Sequence, residues 1–361
     1  MKFSRRRFIA SGMPLMAVPT LGLFQAKAWS SVSDREDEKA PVQLELTSKS
    51  IESVRRGLEW LKRTEGRRGG HGADVSQPDD IGCSAMVGLA LLADGSTPSQ
   101  GPNKTHLRRI VNYLIGCVEA MPNGNITSKS GTQLQNKIGS QAHTFFALLF
   151  LSQVCGEIGI HKKTREAVAK LVETVVKAQS PRGDWGQESW APTLGTVMGW
   201  TSLRSAHFAG FRVGGSPEKT ADHLMQQMKG SLGQKQQHWM HSLYKNATGI
   251  RVLCAMGKEE EAISKRAFAD VLELVTRDNT AFNQAGGEEF LAFHLITETM
   301  LQKEGNDWAT WFPKVRDKML DVQNDDGCWT GHHCITSRTF CTAAACLVLS
   351  APNRYLPISQ K

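Results

Sequence analysis

The sequence predicts an all-α fold assembled from repeated helix pairs, on three observations. Apolar residues recur at helical spacing along most of the chain from residue 49 onward. Two kinds of segment alternate: one with a single apolar stripe, the other apolar around most of its circumference. About six such pairs follow one another, near residues 49–94, 104–157, 162–210, 217–256, 258–304 and 307–350. Helix-pair repeats of roughly 40–58 residues build either a solenoid or a closed ring.

Ahead of the pairs, residues 1–28 read as an export leader. Residues 1–7 are basic, 8–24 are mostly apolar, and Ala26-Lys27-Ala28 has the small-x-small form of a cleavage site. Ser4-Arg5-Arg6-Arg7-Phe8-Ile9 resembles the twin-arginine export signal, an address read by a receptor. An ordinary secretory leader or an uncleaved anchor is the alternative. The expected destination is the periplasm or cell envelope, with no transmembrane helix once the leader is removed. Residues 29–48 are polar and mixed in charge and read as a linker, leaving 49–361 for the helical domain.

The leader also accounts for most of the charge. The chain has 43 basic and 35 acidic residues, a net charge of +8. Lys2, Arg5, Arg6, Arg7 and Lys27 all lie in the leader, which has no acid. Without those five the balance is 38 basic to 35 acidic, or +3. That gives no electrostatic case for nucleic-acid binding. With 40% hydrophobic and 22% charged residues, the chain supports one large domain or two modest ones and excludes disorder or a low-complexity architecture. Eight cysteines in 361 residues are too few for a disulfide scaffold.

Within the pairs, Val168, Leu171, Val172 and Val175 follow the i, i+3, i+4, i+7 rule, as Ile51, Val54 and Leu58 do more loosely. Residues 142–154 (AHTFFALLFLSQV) and 341–349 (CTAAACLVL) are apolar nearly all round. The first kind suits an outer layer with one wet face, the second an inner layer. At the joints, Gln179-x-x-x-Gly183-x-Trp185 and Gln323-x-x-x-Gly327-x-Trp329 put Gln at the end of a striped helix and Trp in the following loop. Gln can bond orphan groups at neighbouring helix ends, Gly allows the turn and Trp covers the joint. Degraded copies are expected around Trp60 and Asn123-Gly124.

Through these joints and alternating helices, most of residues 49–353 resembles the prenyltransferase and squalene-cyclase repeat family. The resemblance implies an α/α toroid of about six inner and six outer helices, with a cavity at one end of the inner ring. The family's chemistry carries over poorly. Its cyclases use an acidic Asp-x-Asp-Asp; Asp79-Asp80 and Asp325-Asp326 both lack the first Asp. Its zinc enzymes use Asp-x-Cys and a distant His. Asp326-Gly327-Cys328 matches Asp-x-Cys but lies inside a joint, which leaves Cys341 as a loose positional match. Cys155-Gly156-Glu157-Ile158 lacks the Gln of a thioester site. HExxH, GxSxG, a P-loop and a dinucleotide fingerprint are absent from the sequence.

The remaining candidates are local clusters. Asp79 and Asp80 precede an apolar segment, where capping competes with catalysis. Glu288, Glu289 and His294 open the fifth inner segment after two glycines and read either as a general acid/base pair or as helix-start acids. Cys328, His332, His333, Cys334 and Cys341 are a candidate metal set, with zinc as the cation. A disulfide joining two of Cys328, Cys334 and Cys341 is the favoured alternative. His143, His238 and His241 lie in inner segments, where a hydrogen-bonded core role is expected. The primary functional expectation is an exported toroid holding an apolar or isoprenoid-like ligand in its inner cavity. The alternatives are a lyase or hydrolase acting on polysaccharide or lipid, or a structural interaction module.

Overall fold

The computed structural model describes residues 45–359, apart from 75, 122–124, 128–130, 158–160, 187, 232–242, 244–247 and 278–281. The expected leader, the expected linker up to residue 44, Asn123, Gly124, His238 and His241 lie outside the described residues. The fold is all-α, with thirteen α-helices and no strands among the described residues. In chain order they are α1 (Ser48–Arg63), α2 (Ile81–Ala93), α3 (Lys104–Glu119), α4 (Gln133–Ile138), α5 (Ala142–Gln153), α6 (His161–Ala178) and α7 (Pro192–Phe208). There follow α8 (Ser216–Ser231), α9 (Thr248–Ala255), α10 (Ala262–Arg277), α11 (Gly287–Lys303), α12 (Gly305–Asp321) and α13 (Arg338–Ser350). No described helix is long and apolar enough to cross a membrane.

The two expected kinds of helix are both present. α6 buries only Thr164, Ala167, Val168, Leu171, Val172 and Val175, one stripe at helical spacing. α1 likewise buries Ser50, Ser53, Val54, Gly57, Leu58 and Leu61. By contrast α5 buries residues 142–152, α11 buries 287–302 and α13 buries 339–350, leaving no wet face. Side-chain caps start several helices. Thr47 and Ser50 cap α1 reciprocally, Asp80 caps α2 through the Cys83 N–H at 2.7 Å, and Ser337 caps α13. The second pair holds an extra element, α4, started by a Thr132–Gln135 capping box.

The apolar helices pack in sequence order: α2 on α5, α5 on α7, α7 on α9, α9 on α11 and α11 on α13. α13 in turn packs on α2. The striped helices cover them, α3 on α2, α6 on α5, α8 on α7, α10 on α9 and α12 on α11. α1 lies against α13 and α12.

Three joints share one set of backbone hydrogen bonds. Ser180 N–H donates to Asp184 O (3.0 Å) and Gly183 N–H to Ser180 O (2.9 Å); Asn324 to Cys328 O (2.9 Å) and Gly327 to Asn324 O (2.9 Å) repeat the pattern. The third copy is Gly66 to Gly70 O (2.7 Å) and Gly69 to Gly66 O (3.0 Å). In each, a glycine with φ of +84° to +95° lies against the next striped helix; a Cβ on Gly183 would stand 2.4 Å from Lys219 O. Two residues on, the N–H of His71, Trp185 or Trp329 donates to Ser84 Oγ (2.8 Å), Thr196 Oγ1 (3.2 Å) or Thr342 Oγ1 (2.9 Å). Four residues before the glycine, a side chain reaches the next striped helix. Gln179 Nε2 donates to Ser216 O (3.0 Å) and Thr220 Oγ1 (2.9 Å) of α8, and Gln323 Nε2 to Ser53 O (3.0 Å) of α1.

The first joint is a correction to the sequence reading. Trp60, its expected site, lies inside α1, half-buried, with Nε1 donating to Asp326 Oδ2 at 3.2 Å. The joint itself is Glu65-x-x-x-Gly69-x-His71, where Glu65 contacts Arg109 Nε (2.6 Å) and His106 Nδ1 (2.8 Å) of α3. An ion pair does there what the Gln amide does elsewhere.

Candidate functional site

The start of α11 and the loop ahead of α13 are pressed together by two glycines. Gly287 N–H donates to Ile335 O at 2.8 Å, and a Cβ on Gly287 would lie 2.5 Å from Ile335 Cγ2. A Cβ on Gly286 would meet His333 O at 2.5 Å. From the other side α4 grips the same loop, with Gln133 Nε2 donating to Thr336 Oγ1 (3.0 Å) and Gln133 Oε1 accepting from Thr336 N–H (2.9 Å).

These contacts gather four polar side chains around Glu288, which is 0% exposed. Its Oε2 accepts from Ile335 N–H (3.1 Å). Its Oε1 lies 3.1 Å from Lys137 Nζ and 3.2 Å from His333 Nδ1. The other nitrogen of His333, Nε2, is 3.4 Å from Oε2 of the equally buried Glu289. Lys137, buried on α4, also points Nζ at Cys334 Sγ, 3.5 Å away. Cys334 has φ +45°, a left-handed backbone that costs a non-glycine residue energy. Burial and then the Glu288 charge push its thiol up, against the pull of Lys137.

Glu288, His333 and Cys334 each offer one ligand atom, and those atoms all lie within 4.8 Å of one another. Glu288 Oε1 is buried and turned toward the nitrogens of Lys137 and His333, with no aligned hydrogen bond among the described residues. An oxygen, a nitrogen and a sulfur donor at this spacing suit zinc or another borderline divalent ion, so the residues fit the expected cation.

The other predicted residues go elsewhere. Glu289 and His294 do not form an acid/base pair. Glu289 Oε2 accepts from Gly286 N–H at 2.6 Å, while His294, five residues on, faces Glu298 and Arg251. Burial holds the His294 imidazole below the usual histidine range. Asp79 pairs with Arg68 at 2.6 Å. Asp80 caps α2, and its Oδ2 lies 3.2 Å from His143 Nε2. Burial alone would raise the Asp80 pKa, but the His143 contact and the Cys83 N–H hold it below the ordinary value. His143 is itself buried, with Thr132 Oγ1 3.2 Å away, the core role expected of it.

Of the five candidate metal residues, His333 and Cys334 converge with Glu288, and three do not. Cys328 Sγ is engaged by Arg338 Nε (2.9 Å) and Asn324 Nδ2 (3.2 Å). His332 is exposed, and Cys341 is buried with Sγ 3.9 Å from Ile335 O. The expected disulfide among Cys328, Cys334 and Cys341 is not formed, since all eight cysteines are free and these three thiols take separate partners.

Sequence reading missed Lys137. Its one signal was a Thr132-x-x-Gln135 capping box between two long helices, which marks a helix start and says nothing of what the lysine meets. Between α2, α5, α7 and α11 lies a void of about 10 Å³, lined also by Leu356 and Ile358 of the C-terminal segment. That is room for one water. Compared with known proteins, the chain matches no family model and no curated protein.

Proposed function

We propose that this chain is an exported α/α toroid of the prenyltransferase and squalene-cyclase repeat class. We propose further that it is a hydrolase or lyase, acting on polysaccharide or lipid, centred on a divalent metal at Glu288, His333 and Cys334. The toroid reading is supported by the packing of α13 back onto α2 and by the joint that carries Gln323 onto Ser53 of α1. In a solenoid the last joint would have no first helix to meet. The export reading rests on the basic, apolar and small-x-small pattern of residues 1–28.

The observation that carries the catalytic reading is the convergence of oxygen, nitrogen and sulfur donors from two segments, with Glu288 fully buried. Three protein ligands leave a position for water or substrate, the pattern of catalytic rather than structural zinc. A bound ion would supply Lewis acidity or an acidified water. The chain's own residues do the positioning. With His333 Nδ1 turned to Glu288, its Nε2–H can donate to Glu289, which orients the ring and sharpens its basicity. Lys137 balances the buried negative charge of Glu288. An apolar or isoprenoid-like ligand would find room for little more than a water in the void between α2, α5, α7 and α11.

Elemental analysis of purified protein supplied with zinc tests the reading, together with the thiolate-to-cobalt absorption of a cobalt-loaded sample. One equivalent of metal and a thiolate band are expected, both lost in Cys334→Ser and His333→Gln. No metal uptake, or uptake indifferent to both substitutions, would overturn it.

A further inference from the structure

Two features near the start of α7 stand beside the Glu288 cluster without belonging to it. The first is Trp190, 72% exposed, the most exposed large apolar residue among the described residues. A single exposed apolar side chain is ordinary by itself. This one is mounted on a braced backbone. Trp190 N–H donates to Asn136 O (3.2 Å) and Ala191 N–H to Lys137 O (2.8 Å), both on α4. The chain just ahead is also pressed onto the end of α4. A Cβ on Gly186 would stand 2.6 Å from Ile138 O, and Glu188 Oε1 accepts from Ser140 N–H at 3.1 Å.

The second feature is a pocket of about 270 Å³ lined by Asp184, Pro192, Thr193, Thr196, His223 and Gln227. It draws on the joint before α7, the first turns of α7 and α8. Five of the six lining side chains are polar, and their contacts hold them in place. Gln227 Nε2 donates to Thr193 Oγ1 (2.9 Å), and His223 Nε2 lies 3.8 Å from Asp184 Oδ2. Thr196 Oγ1 is bonded to the Trp185 backbone. The volume falls just under the range of about 300–1,000 Å³ that holds drug-sized ligands, which suits one sugar unit. Thr193 follows Trp190 by three residues, at most about 10 Å of chain.

We infer that Trp190 and this pocket are adjoining subsites for a neutral saccharide chain, one hexopyranose ring stacking on the indole and a neighbouring unit entering the pocket. The inference rests on the hydrolase or lyase reading of the Glu288 centre and narrows its substrate from polysaccharide or lipid to polysaccharide. The chemistry of the walls decides between the two. A pyranose with equatorial hydroxyls turns its axial C–H bonds to the electron-rich face of an indole. A carboxylate, an amide, an imidazole and two hydroxyls supply the donors and acceptors that sugar hydroxyls need. A lipid chain meets one apolar wall, Pro192, and would cover polar groups with hydrocarbon. The buried Asp184 carboxylate repels a uronate, which selects uncharged units. Position agrees with a chain that leads to the proposed metal centre. Trp190 and Ala191 are bonded to α4, and Lys137 of α4 reaches Glu288.

The test is titration calorimetry with tryptophan emission, on protein kept metal-free by a chelator so that binding is read without cleavage. The probes are the β-1,4-linked hexamers of glucose and of N-acetylglucosamine, with polygalacturonate and phosphatidylcholine vesicles for comparison. At least one hexamer should bind and shift the emission to the blue. Trp190→Ala, a change at an exposed side chain, should weaken that binding at least about tenfold. Gln227→Leu should weaken it as well, and the exposed control Phe208→Ala should behave as wild type. Binding of neither hexamer, binding indifferent to Trp190→Ala, or Trp190-dependent binding of vesicles or polygalacturonate overturns the inference. The two readings fail separately. Hexamer binding by protein that takes up no zinc supports the subsites and removes the metal, whereas zinc uptake without hexamer binding removes the subsites alone.

Discussion

The pairing of Glu288 with Lys137 gives the sharpest test of how the site is held. The two charges are 3.1 Å apart, with side chains 0% and 9% exposed. At an effective dielectric of about 20 their attraction is about 5 kcal/mol, set against the cost of removing both from water. Removing one partner strands the other, so Glu288→Gln and Lys137→Met should each destabilise by about 3–5 kcal/mol. The Gln oxygen can still accept the Ile335 N–H, which isolates the charge effect. The double variant leaves no stranded charge and should cost less than either single one. Guanidinium unfolding with a chelator present measures all four corners of the cycle without a metal contribution. The exposed Arg55–Glu52 pair, 62% and 52% exposed, is the internal control and should show no resolvable coupling. Additivity of Glu288→Gln and Lys137→Met within about 0.5 kcal/mol would refute the buried-pair reasoning.

Further outcomes concern the joints and the site. Trp329 is fully buried, with Nε1 donating to Met319 O at 2.8 Å, so Trp329→Ala should cost about 3–5 kcal/mol in the same unfolding assay; a loss under about 1 kcal/mol would remove the joint from the core. Burial, helped by His106 and Arg109, lowers the His71 pKa from 6.5 to about 4. The unfolded chain therefore binds the extra proton first, and stability should fall by roughly 3 kcal/mol as pH drops through that window. His71→Gln should flatten this slope, and an unchanged slope would count against it. Lys137 competes with a cation for Glu288 and Cys334, so zinc titration of Lys137→Met should show affinity at least about tenfold higher than wild type. Weaker binding would mean that the lysine holds the ligands in place instead.

Much of the fold could be read without coordinates, because its signals are local. The stripe of Val168, Leu171, Val172 and Val175 needs only a few helical turns to declare itself. The Gln-Gly-Trp joints at 179–185 and 323–329 are equally compact, as is the Asp80 cap. The first joint escaped notice because its motif exchanged residues while keeping its backbone. Glu65 uses charge where Gln uses an amide, and a neutral, buried His71 takes the place of Trp.

The site divides along the same line. The sequence by itself determined the all-α class, most of the long helices and the polar residues at the start of α11. It also singled out His333 and Cys334 as possible ligands. Only the tertiary structure decided that Lys137 joins them, that Cys328 is taken by Arg338, and that Glu289 and His294 part company. It alone set Arg251 against Glu298 across two apolar helices. Helical periodicity and turn chemistry are settled by neighbours a few residues apart. Which charge faces which across the core is settled by how distant helices pack, and no local pattern encodes that choice.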